Sequence, residues 1–311
     1  MIKEILYEMP SPYREPMQVA GYRFGKGDKA VCIVGSMRGN EIQQLYICSQ
    51  LVNTLQNLEK RGMLVKGNEI LIIPSVNHFS MNIGKRFWAM DNSDVNRMFP
   101  GYSEGETTQR IAAGVFDRVQ GYRFGIQFPS FYMPGDFIPH VRMMDTGFQS
   151  TSLANLFGLP YVLIRKPRPY DTGTLNYNWQ VWDTNAFSVY TKETDHIDES
   201  SAHLAMVSVL RFLSRMGIIK YNCHSGFIAS IIHDEELQSI QCPCAGIFQP
   251  LKKTGDNVLF GEEMANIIHP LEGHVIGHIY SPCDGIVFFS HCSPLITEQT
   301  TAFRVIKRLH G

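Results

Sequence analysis

No apolar run in this 311-residue chain approaches the roughly 18 residues that cross a bilayer. The opening stretch MIKEILYEMPSPYREP is broken by charge and proline and has no leader-type apolar region. A cytoplasmic protein without a membrane partner is the expectation. Charge of one sign is missing too: 28 Lys+Arg stand against 29 Asp+Glu, for a net charge of −1, and no basic cluster stands out. Phosphate binding needs concentrated Lys/Arg, so nucleic acid is excluded as the main partner. Cysteine is sparse and odd in number, seven in all, which excludes a disulfide scaffold. Cys242-Pro-Cys244 is the one close pair, with no second pair at zinc-ribbon spacing, so the thiols read as unpaired in a reducing compartment.

What is present is an alternation of apolar β-type runs and helical patterns. Ala30–Val34 reads as a buried strand ended by Gly35. Ile42, Leu45, Tyr46, Cys48, Leu51, Val52, Leu55 and Leu58 then follow helical spacing up to Gly62. Glu69–Ile73 is the next strand, stopped by Pro74. Thr107–Val119 is a helix, and Phe124–Phe128, Tyr161–Arg165 and Phe187–Thr191 are further strands. Helices are expected near Thr151–Phe157 and Leu175–Trp182, and another from the cap Asp198 to about Met216. Strands separated by helices predict an α/β fold with a mainly parallel or mixed sheet and helices on both faces. From about residue 226 the texture becomes short β runs with Gly-Asp and Asp-Gly turns, which predicts an all-β C-terminal domain. The expected division is 1–225 and 226–311.

The strand-to-helix junction Ser36-Met37-Arg38-Gly39-Asn40-Glu41 falls where α/β proteins place their sites, and a carboxylate at a helix start is equally an ordinary dipole partner. The segment from Ser75 to about Gly105 reads as a long loop, too polar and irregular to be core, and loops of this length are usually functional. It carries Arg86 and Arg97, Asn77, Asn82, Asn92 and Asn96, and Asp91 and Asp94. Planar guanidinium groups suit bidentate recognition of a carboxylate, and either aspartate could hold them in place or be a solvated loop charge. Pro139-His140-Val141-Arg142 adds a second polar pair. Arg165-Lys166-Pro167-Arg168-Pro169-Tyr170 reads as an anion clamp or as a stiff exposed loop.

The order Gly-x-x-x-Gly-Asn-Glu, Pro-x-x-Asn followed by Arg, Asp94-Val95-Asn96-Arg97-Met98-Phe99-Pro100-Gly101 and Pro-His-Val-Arg resembles the succinylglutamate desuccinylase and aspartoacylase family, within the wider zinc carboxypeptidase group. The resemblance spans nearly the whole chain. It implies a zinc-carboxypeptidase-like fold and hydrolysis of the amide bond of N-acyl amino acids. It also implies a zinc held by the His and Glu of a His-Gly-Asn-Glu loop and by a later His. A Thr-x-Glu glutamate activates the water, while an Asn-Arg pair and a preceding Arg bind the substrate carboxylate and polarise the scissile carbonyl. Zinc would lower the pKa of its water and stabilise the oxyanion.

Carried over residue by residue, Glu41 is the retained metal ligand, Glu193 the catalytic base and Arg86 the second catalytic residue. Asn96 and Arg97 bind substrate, with Arg38, His140 and Arg142 as further substrate-binding candidates. Arg38 and Pro129 stand where the two histidine ligands belong, and arginine stays protonated and cannot ligate zinc. His78 and His140 are the candidate substitute ligands beside Glu41; the competing reading makes them a loop histidine and a substrate-binding group. His233, His269, His274, His278 and His291 read as surface residues of the β domain, and no carrier lysine is available for a covalent cofactor.

Two functions follow. One is a zinc-dependent deacylase for N-acyl amino acids. The other is a metal-free relative that recognises a small carboxylate through Arg38, Arg86, Asn96 and Arg97, the Arg38 guanidinium replacing the cation. A metal-free proton transfer by Glu193 with Arg38 or His140 is a third use of the same cleft. The expected partner is a small anionic substrate or ligand, with a homo-oligomer as the candidate assembly.

Overall fold

The computed structural model describes residues 1–147, 150–192 and 194–308. Two compact units emerge: Met1–Ser130 with Val141–Tyr190 and Thr194–Ile231, and Phe131–His140 with Thr191–Glu193 and Ile232–Gly311. The main division thus lies at Ile231/Ile232, and two short earlier segments join the second unit.

The first unit is ordered β1 (Ile2–Met9), β2 (Met17–Gly25), β3 (Gly27–Ser36), α1 (Ile42–Lys60), β4 (Gly67–Ser75), α2 (His78–Met81), α3 (Thr107–Val119) and β5 (Phe124–Gln127). After β6 (Gly135–Phe137), which belongs to the second unit, come β7 (His140–Met144), α4 (Thr151–Ala154), β8 (Tyr161–Arg165), α5 (Leu175–Val181), β9 (Asn185–Tyr190), α6 (Glu199–Arg215) and β10 (Ser230–His233). Their strands form one sheet in the order β1-β2-β4-β3-β5-β9-β7-β8-β10. The neighbours β4, β3, β5 and β9 run parallel, whereas β1, β2 and β4 pair antiparallel, so the sheet is mixed.

Alternation along the central strands divides the core. Val31 and Ile33 of β3, with Ile70 and Ile72 of β4, pack with Ile47, Leu51 and Leu55 of α1 and Val209 and Phe212 of α6. Cys32, Val34, Leu71 and Ile73 belong to a second cluster with Ile111 and Val115 of α3 and Leu175 and Trp179 of α5. Side chains on a strand point to opposite faces in turn, so two clusters on alternate residues mean helices on both faces, as the sequence predicts. Each such aliphatic side chain taken out of water is worth about 1.5–3 kcal/mol. Helix α1 stops where Gly62 takes φ +67°, a conformation a side chain would strain. Asp198 caps α6 by accepting from the Ser201 amide at 2.7 Å.

Two sequence readings need correction. The hairpin β1–β2 was not anticipated: Lys3, Glu4 and Glu8 obscure the strand pattern, and β1 is an edge strand with much of its length exposed. The 75–105 segment is not excluded from the core either. Val76, Trp88, Val95 and Phe99 are buried in the second cluster, and the segment contains α2 and a short 3-10 turn, Val95–Arg97.

The second unit is built of β strands. Its strands β11 (Leu237–Gln241), β13 (Asn257–Val258), β16 (Gly285–His291) and β18 (Thr301–Lys307) form a sheet in the order β11-β18-β16-β13, with β6 also paired to β16. A second sheet is ordered β15-β14-β12-β17, from β12 (Gly246–Pro250), β14 (Glu263–Ile268), β15 (Val275–Tyr280) and β17 (Leu295–Ile296). Phe248, Met264, Ile267, Val287, Phe303 and Val305 are among the side chains of its own core.

Candidate functional site

The polar cluster of the first unit starts where β3 runs out. Ser36 holds the turn by donating its hydroxyl to the Arg38 carbonyl at 2.7 Å. Gly39 donates its amide to the Arg86 carbonyl at 2.9 Å. A Cβ at Gly39 would lie 2.2 Å from the Lys85 carbonyl oxygen and 2.6 Å from the Met81 amide, so only glycine lets the two loops approach this closely.

Glu41, at the start of α1, is completely buried. Its carboxylate accepts five donors. The amides of Met37 (2.8 Å) and Arg38 (3.0 Å) reach Oε2, while Arg38 Nη1 (3.1 Å), the Ser130 amide (3.2 Å) and the Ser130 hydroxyl reach Oε1. The Arg38 guanidinium is also buried, and its other edge is bidentate on Asp94: Nε lies 3.2 Å from each carboxylate oxygen and Nη2 lies 2.7 Å from Oδ2. Burial works against this charge, but the Glu41 and Asp94 carboxylates outweigh it and hold Arg38 above its ordinary pKa.

Ser130, which no sequence motif marks, is the hub. Its hydroxyl donates to Glu41 and accepts from Arg38 Nη1 (3.2 Å) and Arg86 Nη2 (3.1 Å). Burial, and then the neighbouring charge of Arg38, push the Arg86 guanidinium below its ordinary value. Asp94 is the aspartate that organises the arginines. Besides Arg38 it meets Arg97 Nε at 3.4 Å and accepts the Asn96 amide at 3.1 Å. Asp91, the other candidate, accepts instead from its neighbour Ser93, amide and hydroxyl alike.

Asn96 is buried, and its Oδ1 accepts from Gln127 Nε2 at 3.1 Å and from the Leu175 amide at 3.5 Å. Arg97 is the more open of the guanidinium groups, with 38% of its side chain exposed. It lies 4.9 Å over the Tyr170 ring and donates to the Tyr170 carbonyl at 3.3 Å. The charged loop 165–170 therefore meets the cluster through Tyr170, while its own Arg165 pairs with Asp171.

Arg142 is buried and lies 4.1 Å over the Tyr190 ring. His78 opens α2, its ring edge-on to Phe79 at 5.0 Å, and burial lowers its pKa. His140, the first residue of β7, is grouped with the second unit and is fully buried. Its Nδ1 is 2.9 Å from the Ile138 carbonyl oxygen, and its ring is packed on Phe137 and Phe288. Glu193 lies outside the described residues. The surface reading fails for His291, which is 5% exposed and packs edge-on against Phe248 at 5.5 Å.

Zinc, implied by the resemblance, needs several His, Cys or carboxylate side chains converging on one point. Among the described residues no three His, Cys, Asp or Glu side chains converge as a metal site requires. The one retained ligand, Glu41, has both oxygens engaged by protein donors, and one of those donors is the permanently charged Arg38. A cation there would have to displace the guanidinium and leave the Ser130 and backbone N–H groups pointing at it. The donors present do not fit zinc.

A comparison with curated protein sequences finds no match. Solved structures show the same fold. The product-bound ectoine utilization protein EutE (DoeB) from Ruegeria pomeroyi superposes with a TM-score of 0.81 at 18% identity, over 99% of this chain and 95% of that one. A succinylglutamate desuccinylase/aspartoacylase from Rhodobacter sphaeroides gives 0.80 at 17%, over 99% and 96%. An aspartoacylase family protein from Mesorhizobium loti gives 0.76 at 20%, over 96% and 91%. Residues 27–182, just over half of the chain, match the sequence model of the succinylglutamate desuccinylase/aspartoacylase catalytic domain. That stretch holds Arg38, Glu41, Arg86, Asp94, Asn96, Arg97 and Ser130, and the chain belongs to the succinylglutamate desuccinylase/aspartoacylase family.

Proposed function

We propose that this member of a deacylase-like hydrolase family recognises a small N-acyl amino acid, and that Arg97 and Arg86 are the groups that meet its carboxylate. The observation that carries the reading is the charge arrangement around Arg38. Three guanidinium groups and two carboxylates share this cluster among the described residues: Arg38, Arg86 and Arg97 with Glu41 and Asp94. Planar guanidinium groups gathered in one place suit recognition of a carboxylate. Arg38 itself is committed to Glu41 and Asp94, so the ligand-binding role expected of it passes to its neighbours. Arg97, half open and steadied by the Tyr170 ring, offers a planar fork to the ligand carboxylate.

Titration calorimetry with N-acetyl-L-aspartate and N-succinyl-L-glutamate, beside their methyl esters, tests the reading. Binding of at least one free acid and of neither ester is expected. Failure of both acids to bind, or equal binding of acid and ester, would overturn it.

A further inference from the structure

We infer that Arg38 is a built-in cation: its guanidinium does the structural work of a metal ion in this site, and the cluster assembles and persists without one. The inference concerns Arg38 alone and stands apart from the identity of any ligand.

Glu41 carries a negative charge with no exposure to water, and such a group must be met by a positive charge or by enough donors. It is met by both, and the positive charge comes from a residue only three positions away in the same turn. The guanidinium does what a divalent ion does in a carboxylate site: it joins two acidic groups from separate loops, Glu41 from the β3–α1 junction and Asp94 from the 75–105 segment. Its planar fork suits this task, one edge taking Asp94 through Nε and Nη2 and the other end taking Glu41 and Ser130 through Nη1. Pro129, at the second position where the resemblance places a histidine, precedes Ser130, whose backbone amide and hydroxyl both turn to Glu41. One expected histidine position is thus itself a donor to the carboxylate, and the other directly precedes one. Unlike a metal, this cation cannot be removed by a chelator or exchanged.

The test is elemental analysis and thermal unfolding of the whole chain, with EDTA, with added zinc, and with millimolar guanidinium. Wild type should retain no zinc after buffer exchange, and its Tm should move by less than about 1 °C with EDTA or zinc. Arg38→Ala should lower Tm by about 5–10 °C. Guanidinium, too dilute to denature, should recover part of that loss while leaving wild type unmoved. Arg38→Lys, which keeps the charge and loses the fork, should fall between the two, and it serves if Arg38→Ala does not fold. The double variant Arg38→His, Pro129→His should gain zinc that wild type does not hold. Near-stoichiometric zinc in wild type, a Tm that EDTA lowers, or Arg38→Lys and Arg38→Ala as stable as wild type would overturn the inference. A metal-free, EDTA-insensitive protein that binds no N-acyl amino acid would leave it standing and remove only the proposed ligand.

Discussion

The Arg38 guanidinium and the Glu41 carboxylate lie 3.1 Å apart, three residues apart in one turn, with the Glu41 side chain wholly shielded from water. Everything else in the cluster is arranged around this pair. Asp94 balances the far side of the guanidinium, and the Ser130 hydroxyl hydrogen-bonds both groups.

Removing the carboxylate from that pair should be expensive. Glu41→Gln leaves Arg38 buried with one counter-charge and presents an amide NH2 to donors that expect an acceptor. A loss of about 3–5 kcal/mol is expected, read from the denaturant midpoint in urea. A loss under about 1 kcal/mol would mean that water or another anion already shares the charge.

Ser130→Ala deletes one donated and two accepted hydrogen bonds while leaving the backbone amide on Glu41. The expected cost is about 1–3 kcal/mol, since buried partners are left unsatisfied. Arg86 loses its Ser130 contact as well, so affinity for an N-acyl amino acid should fall with stability. Unfolding and calorimetry on the same preparation check the two effects.

Arg97→Ala should separate binding from folding. The pair with Asp94 is at 3.4 Å on a side chain 38% exposed, a setting worth about 0–1 kcal/mol to stability. Loss of a charged hydrogen bond to the ligand should nevertheless weaken binding about 10- to 100-fold, with the melting curve nearly unchanged.

The helical and central-strand parts of this fold were legible because their periodicity is undiluted. Helix α3 runs over Thr107–Val119 and β8 over Tyr161–Arg165, as their patterns indicate. The β1–β2 hairpin was not legible, since half-exposed strands with charged residues lose the alternation that burial imposes. In the site, Glu41 and the arginines were readable from their motif, and Asp94 was one of two candidates whose sequence surroundings do not distinguish them. Only the three-dimensional path shows that Asp94 reaches Arg38 while Asp91 turns back on Ser93. Ser130 carried no signal at all: a single serine after proline belongs to no pattern. Tryptophan and phenylalanine in the 75–105 segment were the clue to its burial, and the surrounding Asn, Gly and charge masked it.

Stability should fall on the acid side of neutrality through His78 and His291. Burial lowers both pKa values from the ordinary 6.5, so in acid the unfolded chain binds more protons than the folded one. The sign makes stability level above about pH 6.5 for these groups and decreasing below it, until the folded pKa values are passed. His291→Phe should flatten the loss between pH 7 and pH 5, as read from urea midpoints. An unchanged slope would show that His291 takes up its proton equally in the folded and the unfolded chain.

The most direct test of a carboxylate site built on a guanidinium is calorimetric titration of N-acetyl-L-aspartate and N-succinyl-L-glutamate into EDTA-treated protein, repeated with added zinc. The account predicts one-to-one binding of at least one free acid, the same with and without zinc, and its weakening about 10- to 100-fold in Arg97→Ala. Binding or hydrolysis that appears only when zinc is added would contradict it.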